Sequence, residues 1–380
     1  MDGVRRGAHG LIPARRRTVD TGRVTLEAIL LVGGKGTRLR PLTISTPKPL
    51  LPTAGVPLLE HQLRKARAAG IRRIVFATSY RASMFTEAFG DGSRLGLELV
   101  YVTEDEPLGT AGAIRNAAEK LECDAGSPVV VLNGDILSGH DLVAQVAMHE
   151  KSGPAVTMHL TLVNDARRYG AVPTTSEGKV IEFVEKSPNP PTNQVNAGCY
   201  VFRRSAIEAI PAGRVVSVEY ETFPGLLAAG ETIMGYVEGS YWLDVGTPGT
   251  FVQGSCDLVL GRMVSSAVTP GGGVLFLNGS VVAPEAAVSG GTAVGAGAVV
   301  ESGATVESSV LFDGAVVEQG ARVSRSVIGR GARICAGAVV DEAVIGDGAM
   351  VGPGNELRGG LRLWPGTQLP PAAVRFSSDV

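Results

Sequence analysis

The 380-residue sequence predicts an α/β domain with a mainly parallel sheet, followed by a parallel β-helix. Three observations carry that reading. Length exceeds what one ordinary core organises, so two domains are expected. The first part alternates short apolar runs with helix-period segments, as parallel α/β domains do. After about Gly271 the helical period disappears and apolar residues recur every six positions.

In the first part the expected strands are Ala28–Val32, Ile74–Thr78, Leu97–Val102, Val129–Leu132 and Val156–Leu162. Helices are expected between them at Leu58–Ala69, Ala82–Phe89, Ala111–Leu121 and Asp141–Glu150. Val195–Phe202, Ser205–Ile210 and Ile233–Val237 extend the domain with further strands and a helix. Apolar runs bounded by Gly and Asp suit strands buried on both faces, a Rossmann-like arrangement that leaves ligands to the loops at the strands' carboxyl ends. Chemistry is therefore sought just after the strands.

In the second part the apolar series runs Val282, Val288, Val294, Val300 and Val306. It continues through Leu311, Val317, Val323, then Ile328, Ile334, Val340, then Ile345, Val351, Leu357, advancing 6, 6 and 5 for a 17-residue coil. Three short strands per coil, with small residues at the corners, describe a triangle whose apolar residues share one axis. This resembles the left-handed hexapeptide-repeat solenoids. An acyltransferase role in such a solenoid generally needs a histidine base, and all five histidines precede the repeats. An oligomerising or regulatory domain is the expectation instead. The divisions read as a disordered basic leader at 1–23, a catalytic domain at 24–261 and a β-helix at 262–380.

Composition narrows the function. With 44% hydrophobic residues, 19% charged and a net charge of -2, the chain lacks the basic excess of nucleic-acid binding. The longest apolar runs fall far short of the roughly 18 residues that cross a bilayer, so no membrane span is expected. Cys123, Cys199, Cys256 and Cys335 are scattered without a CxxC pair, which points to a reduced, cytoplasmic protein.

The first strand runs into Gly33-Gly34-Lys35-Gly36-Thr37-Arg38, and Lys48 follows within Pro47-Lys48-Pro49. Glycines let backbone N–H groups approach phosphate oxygens, and a fixed guanidinium neutralises their charge. A triphosphate site follows. The segment fails the dinucleotide fingerprint, because Leu39 stands where its third glycine belongs, and it lacks the G-K-[ST] ending of a P-loop. Glu106-Pro107-Leu108-Gly109-Thr110-Ala111-Gly112 opens a helix after the third strand; it reads either as a loop lying flat on a base or as a helix start capped by Thr110. Asn133-Gly134-Asp135 ends the fourth strand, where an aspartate is either a turn residue or a ligand. Asp244 supplies a second carboxylate in Tyr241-Trp242-Leu243-Asp244.

The complete string from Gly33 to Lys48 resembles the signature of the sugar-nucleotide pyrophosphorylase family, and the likeness extends from Leu26 to the end of the chain. The resemblance implies that Gly33, Gly34, Gly36 and Thr37 hold nucleotide phosphates, that Arg38 stabilises the departing pyrophosphate and that Lys48 faces the phosphates. It makes Asp135 and Asp244 joint ligands of Mg²⁺. Lys186 would meet the sugar phosphate and Glu185 the sugar hydroxyls, with Asn196, Gly198 and Gly170 as further contacts. Glu219 sits in a family-like segment and reads as a helix-start residue. The Glu106–Gly112 string, with Gly109, Thr110 and Gly112, is similar to the loop of guanylyl-transferring members, which implies GTP and mannose 1-phosphate as substrates; the flat apolar sides and open end of the solenoid lead separately to the expectation of a homo-oligomer assembled through the β-helix. Glucose 1-phosphate with UTP, dTTP or ATP stays open beside it, as does a catalytically silent sugar-nucleotide-binding homologue.

Overall fold

A computed structural model describes residues 26–375 apart from 80, 105 and 270; the expected leader at 1–23 lies outside the described residues. Four parallel strands form one end of a nine-stranded sheet, in the order Glu98–Thr103, Arg73–Thr78, Glu27–Leu31, Pro128–Asn133, with Glu98–Thr103 at the edge. Strand order reverses at Glu27–Leu31, whose neighbours lie on opposite sides, so this is the switch point at which a doubly wound sheet opens a crevice. The Gly33 loop and the Asn133-Gly134-Asp135 turn leave adjacent strands there. Beyond Pro128–Asn133 the sheet continues antiparallel through Gln194–Arg203 and Val156–Leu162, and Ile233–Val237 then pairs parallel to the latter.

The helix expected at Ala111–Leu121 begins earlier, at Gly109, and tightens into a 3₁₀ turn after Ala117. Asp141 is the N-cap of Leu142–Ser152, its carboxylate accepting from the Ala144 N–H at 3.0 Å. Two apolar layers cover the two faces of the sheet. Ile29, Val75, Val131 and Tyr200 face one, while Leu30, Phe76, Val130 and Val201 face the other, following the two-residue period of a strand.

The second part forms three parallel sheets of six, six and five short strands, consistent with the left-handed β-helix of the hexapeptide reading. Register advances by 17 through the middle coils, as in Val300↔Val317↔Ile334↔Val351. Twelve axial residues from Val294 to Leu357 belong to one buried cluster, with Val282 and Val288 partly exposed at its open end. The corners need left-handed backbone: Ser308, Arg325 and Glu342 have φ near 44°, 46° and 50° at successive coils.

The two parts share a core. Helix Pro248–Val259, begun by a Thr247–Thr250 capping box, lays Phe251, Val252 and Val259 against Val310, Phe312, Val327 and Val344 of one β-helix face. Leu39, Leu42 and Leu51 join the same cluster from the segment after the glycine loop.

Candidate active site

Gly36 takes φ 56° and ψ 35° and starts the 3₁₀ turn Thr37–Leu39 that carries Arg38. Its carbonyl accepts from Leu39 N–H at 3.0 Å and from the Thr43 hydroxyl at 2.8 Å, which closes the loop on itself. The far side of this loop rests on the β-helix. Ser45 donates to Asp347 at 3.1 Å, and Arg362 donates to the Arg40 carbonyl at 2.9 Å.

Lys48 is 8% exposed, and its ammonium donates to the Asp135 carboxylate at 2.8 Å while lying 3.9 Å from Asp244. The two aspartates sit on a small ribbon. Ile136–Ser138 pairs antiparallel with Trp242–Asp244, Asp244 lies opposite Ile136, and Val245 N–H donates to the Asp135 carbonyl at 3.1 Å. Burial, then repulsion from Asp135, raises the Asp244 pKa, with Lys48, Arg38 and Lys186 opposing. Asp244 Oδ1 is buried without a hydrogen-bond partner among the described residues.

Two cavities meet at this acidic pair. One, of about 330 Å³, is lined by Gly33, Gly34, Gly36, Thr37, Arg38, Lys48 and Thr110. The other, of about 310 Å³, is lined by Gly170, Glu185, Lys186, Asn196, Gly198 and Asp244. Arg38, Asn133 and Asp135 line both. The first is lined by glycines and by the cations Arg38 and Lys48, and the second by polar and charged side chains.

In the second cavity, Gly170 pairs with Glu185, and a Cβ at Gly170 would fall 2.7 Å from the Glu185 carboxylate. Lys186 adopts φ 48°, and its ammonium lies 3.0 Å from Glu185, a hydrogen bond that raises its pKa. Strand Gln194–Arg203 shifts register between Asn196 and Tyr200, and within that irregularity Asn196 Oδ1 accepts from Gly198 N–H at 3.0 Å. A Cβ at Gly198 would meet Asn133 Nδ2 at 2.9 Å, so glycine there lets the sugar segment lie against the aspartate turn.

Gly109 and Gly112 lie elsewhere. Their missing Cβ atoms face backbone at 214–216, at 2.6 Å from Val216 O and 2.8 Å from Arg214 O, and Ala111 N–H donates to Val216 O. Close internal packing accounts for these glycines without a ligand. Thr110 is not the cap, since Leu108 occupies that position; its hydroxyl donates to Glu219 at 3.0 Å and accepts from Val218 N–H at 2.8 Å.

Sequence reasoning gave Glu219 only as a helix-start residue and assigned no role to Tyr169, Arg168 or Trp242, yet all four line the second cavity. Glu219 does sit in the first turn of the short π-helix Val218–Thr222, held by Thr110 and Ser217, yet it faces the cavity as well. For Trp242 a signal existed: it stands two residues before Asp244 on one strand, so the two share a face.

The nucleotidyl transferase family model matches residues 27–259, and the GMPPB C-terminal domain model matches residues 271–363. The mannose-1-phosphate guanylyltransferase of Mycobacterium tuberculosis is 51% identical over 357 residues, spanning 93% of this chain and 99% of that protein. The mannose-1-phosphate guanylyltransferase catalytic subunit beta of Drosophila melanogaster is 38% identical over 231 residues, 60% of this chain and 62% of that protein. Among solved structures, HddC from Yersinia pseudotuberculosis complexed with GMP-PN superimposes with a TM-score of 0.52 at 26% identity, covering 60% of this chain and 98% of that one. Family models covering both parts, and a relative matched nearly end to end, agree with the paired cavities: the chain belongs to the nucleotidyl transferase family, in its mannose-1-phosphate guanylyltransferase branch.

Proposed function

We propose that this enzyme transfers the guanylyl group of GTP to mannose 1-phosphate, forming GDP-mannose and pyrophosphate. The observation that carries the mechanism is the meeting of the two cavities at Arg38, Asn133 and Asp135. A phosphate oxygen of the sugar phosphate attacks the α-phosphorus, the bond to the bridging oxygen breaks, and its electrons leave with pyrophosphate. No covalent enzyme intermediate is required. Arg38 and the loop N–H groups stabilise charge gathering on the leaving pyrophosphate, and Lys186 holds the attacking phosphate near Glu185, in keeping with phosphoryl chemistry that relies on positioning and electrostatics.

Asp135 and Asp244 would hold a divalent cation. The orphaned Asp244 oxygen and the paired hard donors fit one, and among the described residues no group of three or more His, Cys, Asp or Glu forms a rival site. Two carboxylates, with phosphate and water completing the shell, suit Mg²⁺. Such an ion supplies Lewis-acid polarisation of the α-phosphate. Lys48 lies beside both carboxylates, 2.8 Å from Asp135 and 3.9 Å from Asp244.

Guanine choice is supported by the relatives, and sugar choice by the polar cavity around Glu185, Lys186, Asn196 and Glu219. Assembly through the β-helix belongs to the same reading, supported by exposed Phe276, Val281 and Trp364. The cytoplasm is supported by four free cysteines. Pyrophosphate release across four nucleoside triphosphates and several hexose 1-phosphates tests the proposal. GTP with mannose 1-phosphate is expected to give the highest kcat/KM; a higher value with UTP, dTTP or ATP overturns the guanylyl assignment, and no release with any pair overturns the transferase reading.

A further inference from the structure

Helix Leu58–Ala68 passes behind the acidic ribbon, and two of its side chains grip the ribbon's backbone. Gln62 Nε2 donates to the Asn133 carbonyl at 3.0 Å and to the Ile136 carbonyl at 2.7 Å. These carbonyls bracket Gly134 and Asp135, so one amide spans the turn that presents the carboxylate. Three residues along the same face, Lys65 Nζ donates to the Ser138 carbonyl at 2.9 Å and lies 2.8 Å from His140 Nδ1. Strand Ile136–Ser138, which holds Trp242–Asp244 in register, is thus pinned at both ends.

The local energetics run against a merely structural purpose. Gln62 Oε1 is buried with no partner among the described residues, so both hydrogen bonds of the amide are made by its nitrogen. Turning the amide over would aim that oxygen at two carbonyls, so the orientation is fixed by repulsion. Lys65 is largely buried, and the hydrogen bonds of its ammonium go to a carbonyl and an imidazole rather than to a carboxylate; burial pushes its pKa down to about 8. An apolar side chain would avoid that desolvation. Both groups are spent on the backbone that carries the aspartates.

We propose that Gln62 and Lys65 are positioning residues that set the separation of the Asp135 and Asp244 carboxylates, and through it the affinity of the site for its divalent ion. The proposal rests on the reading that these aspartates hold the ion. Gln62→Met keeps the length of the side chain and removes both donors. Gln62→Glu keeps its shape and places an acceptor against two carbonyls. Lys65→Met removes the ammonium, and Lys65→Arg retains a donor.

Electron paramagnetic resonance of Mn²⁺ in the full-length enzyme, with GTP and no sugar phosphate, measures ion binding without turnover. Gln62→Met and Gln62→Glu are expected to weaken Mn²⁺ binding by about tenfold to a hundredfold, as outer-shell partners of metal ligands commonly do. Lys65→Met is expected to weaken it by several-fold, and Lys65→Arg to restore it. At saturating metal, kcat should return to within a few-fold of the parent, because the reacting groups are unchanged. Parent-like Mn²⁺ affinity in the Gln62 variants and in Lys65→Met overturns the proposal, even where melting temperature has fallen. Should the Gln62 variants fail to fold, the Lys65→Met and Lys65→Arg pair decides it. Asp135→Asn separates the layers: if it loses Mn²⁺ while the Gln62 and Lys65 variants do not, the positioning idea alone fails. If Asp135→Asn binds Mn²⁺ as the parent does, the acidic-pair reading beneath it fails.

Discussion

Gly36→Ala is a small change placed where geometry predicts a large functional effect. The backbone at Gly36 is left-handed, with φ 56°, a conformation costing an alanine roughly 1–2 kcal/mol. The added Cβ would lie 3.1 Å from Lys48 Cβ and 3.1 Å from Thr43 Cγ2, so each must yield by a few tenths of an ångström. In a chain of this size that stability loss lowers Tm by no more than about 2–4 °C. Catalysis is more sensitive. Lys48 spans Asp135 and Asp244, Arg38 sits two residues on, and misplacement approaching 1 Å in such a site costs about a hundredfold. We expect kcat/KM to fall by roughly tenfold to a hundredfold in a coupled pyrophosphate assay. Gly70→Ala is the control, because φ is +96° there and nothing lies within 4 Å of the added carbon. It should lose similar stability and keep its activity. Equal activities in the two variants would refute the claim that this loop is positioned to sub-ångström tolerance.

Asp135→Asn and Asp244→Asn should each lower turnover by orders of magnitude while circular dichroism stays unchanged, since both sit at strand ends of the ribbon. Lys186→Ala should raise KM for mannose 1-phosphate at least tenfold and KM for GTP far less, because Lys186 lines only the sugar-side cavity of the two; equal changes would indicate a general electrostatic role. Burial lowers His149 to about 4 and His159 to about 3, below the unfolded value near 6.5. The unfolded state therefore binds more protons as pH falls through that window. Stability should hold above about pH 6.5 and decline toward pH 4, with His149 contributing up to about 3 kcal/mol, and denaturant melts of His149→Gln should show a shallower acid limb. Truncation near Gly261 should yield aggregated protein, since it bares the face of Pro248–Val259 that Phe312, Val327 and Val344 cover; a monodisperse, active fragment by light scattering would contradict that packing.

The fold was legible because both its periods are local. Alternating apolar runs placed the strands within a residue or two, and the six-residue spacing placed the axial ladder from Val294 to Leu357. The direction of Gln194–Arg203 was not, since strand direction depends on partners distant in sequence. The loop from Gly33 to Lys48 stood out as a candidate site for the same reason as the repeats: its residues are contiguous. Glu219 reaches Thr110 across 109 positions, and Ser45 reaches Asp347 across 302, and no local pattern announces such meetings. Gly109 and Gly112 show the opposite hazard. A glycine pair that invites a ligand also suits close packing of one backbone segment on another, as here against Val216 and Arg214.

The helix Pro248–Val259 is followed in sequence by the β-helix and is buried against it, with Phe251 edge-on to Phe312 at 6.2 Å between ring centres. Neither half can melt without baring the other's apolar surface, so heating should meet one cooperative unit rather than two. A single calorimetric peak, with van't Hoff and calorimetric enthalpies in agreement, is its thermodynamic signature. A substitution deep in the solenoid, such as Ile334→Ala, would then inactivate the distant transfer reaction at the same temperature at which it unravels the coils.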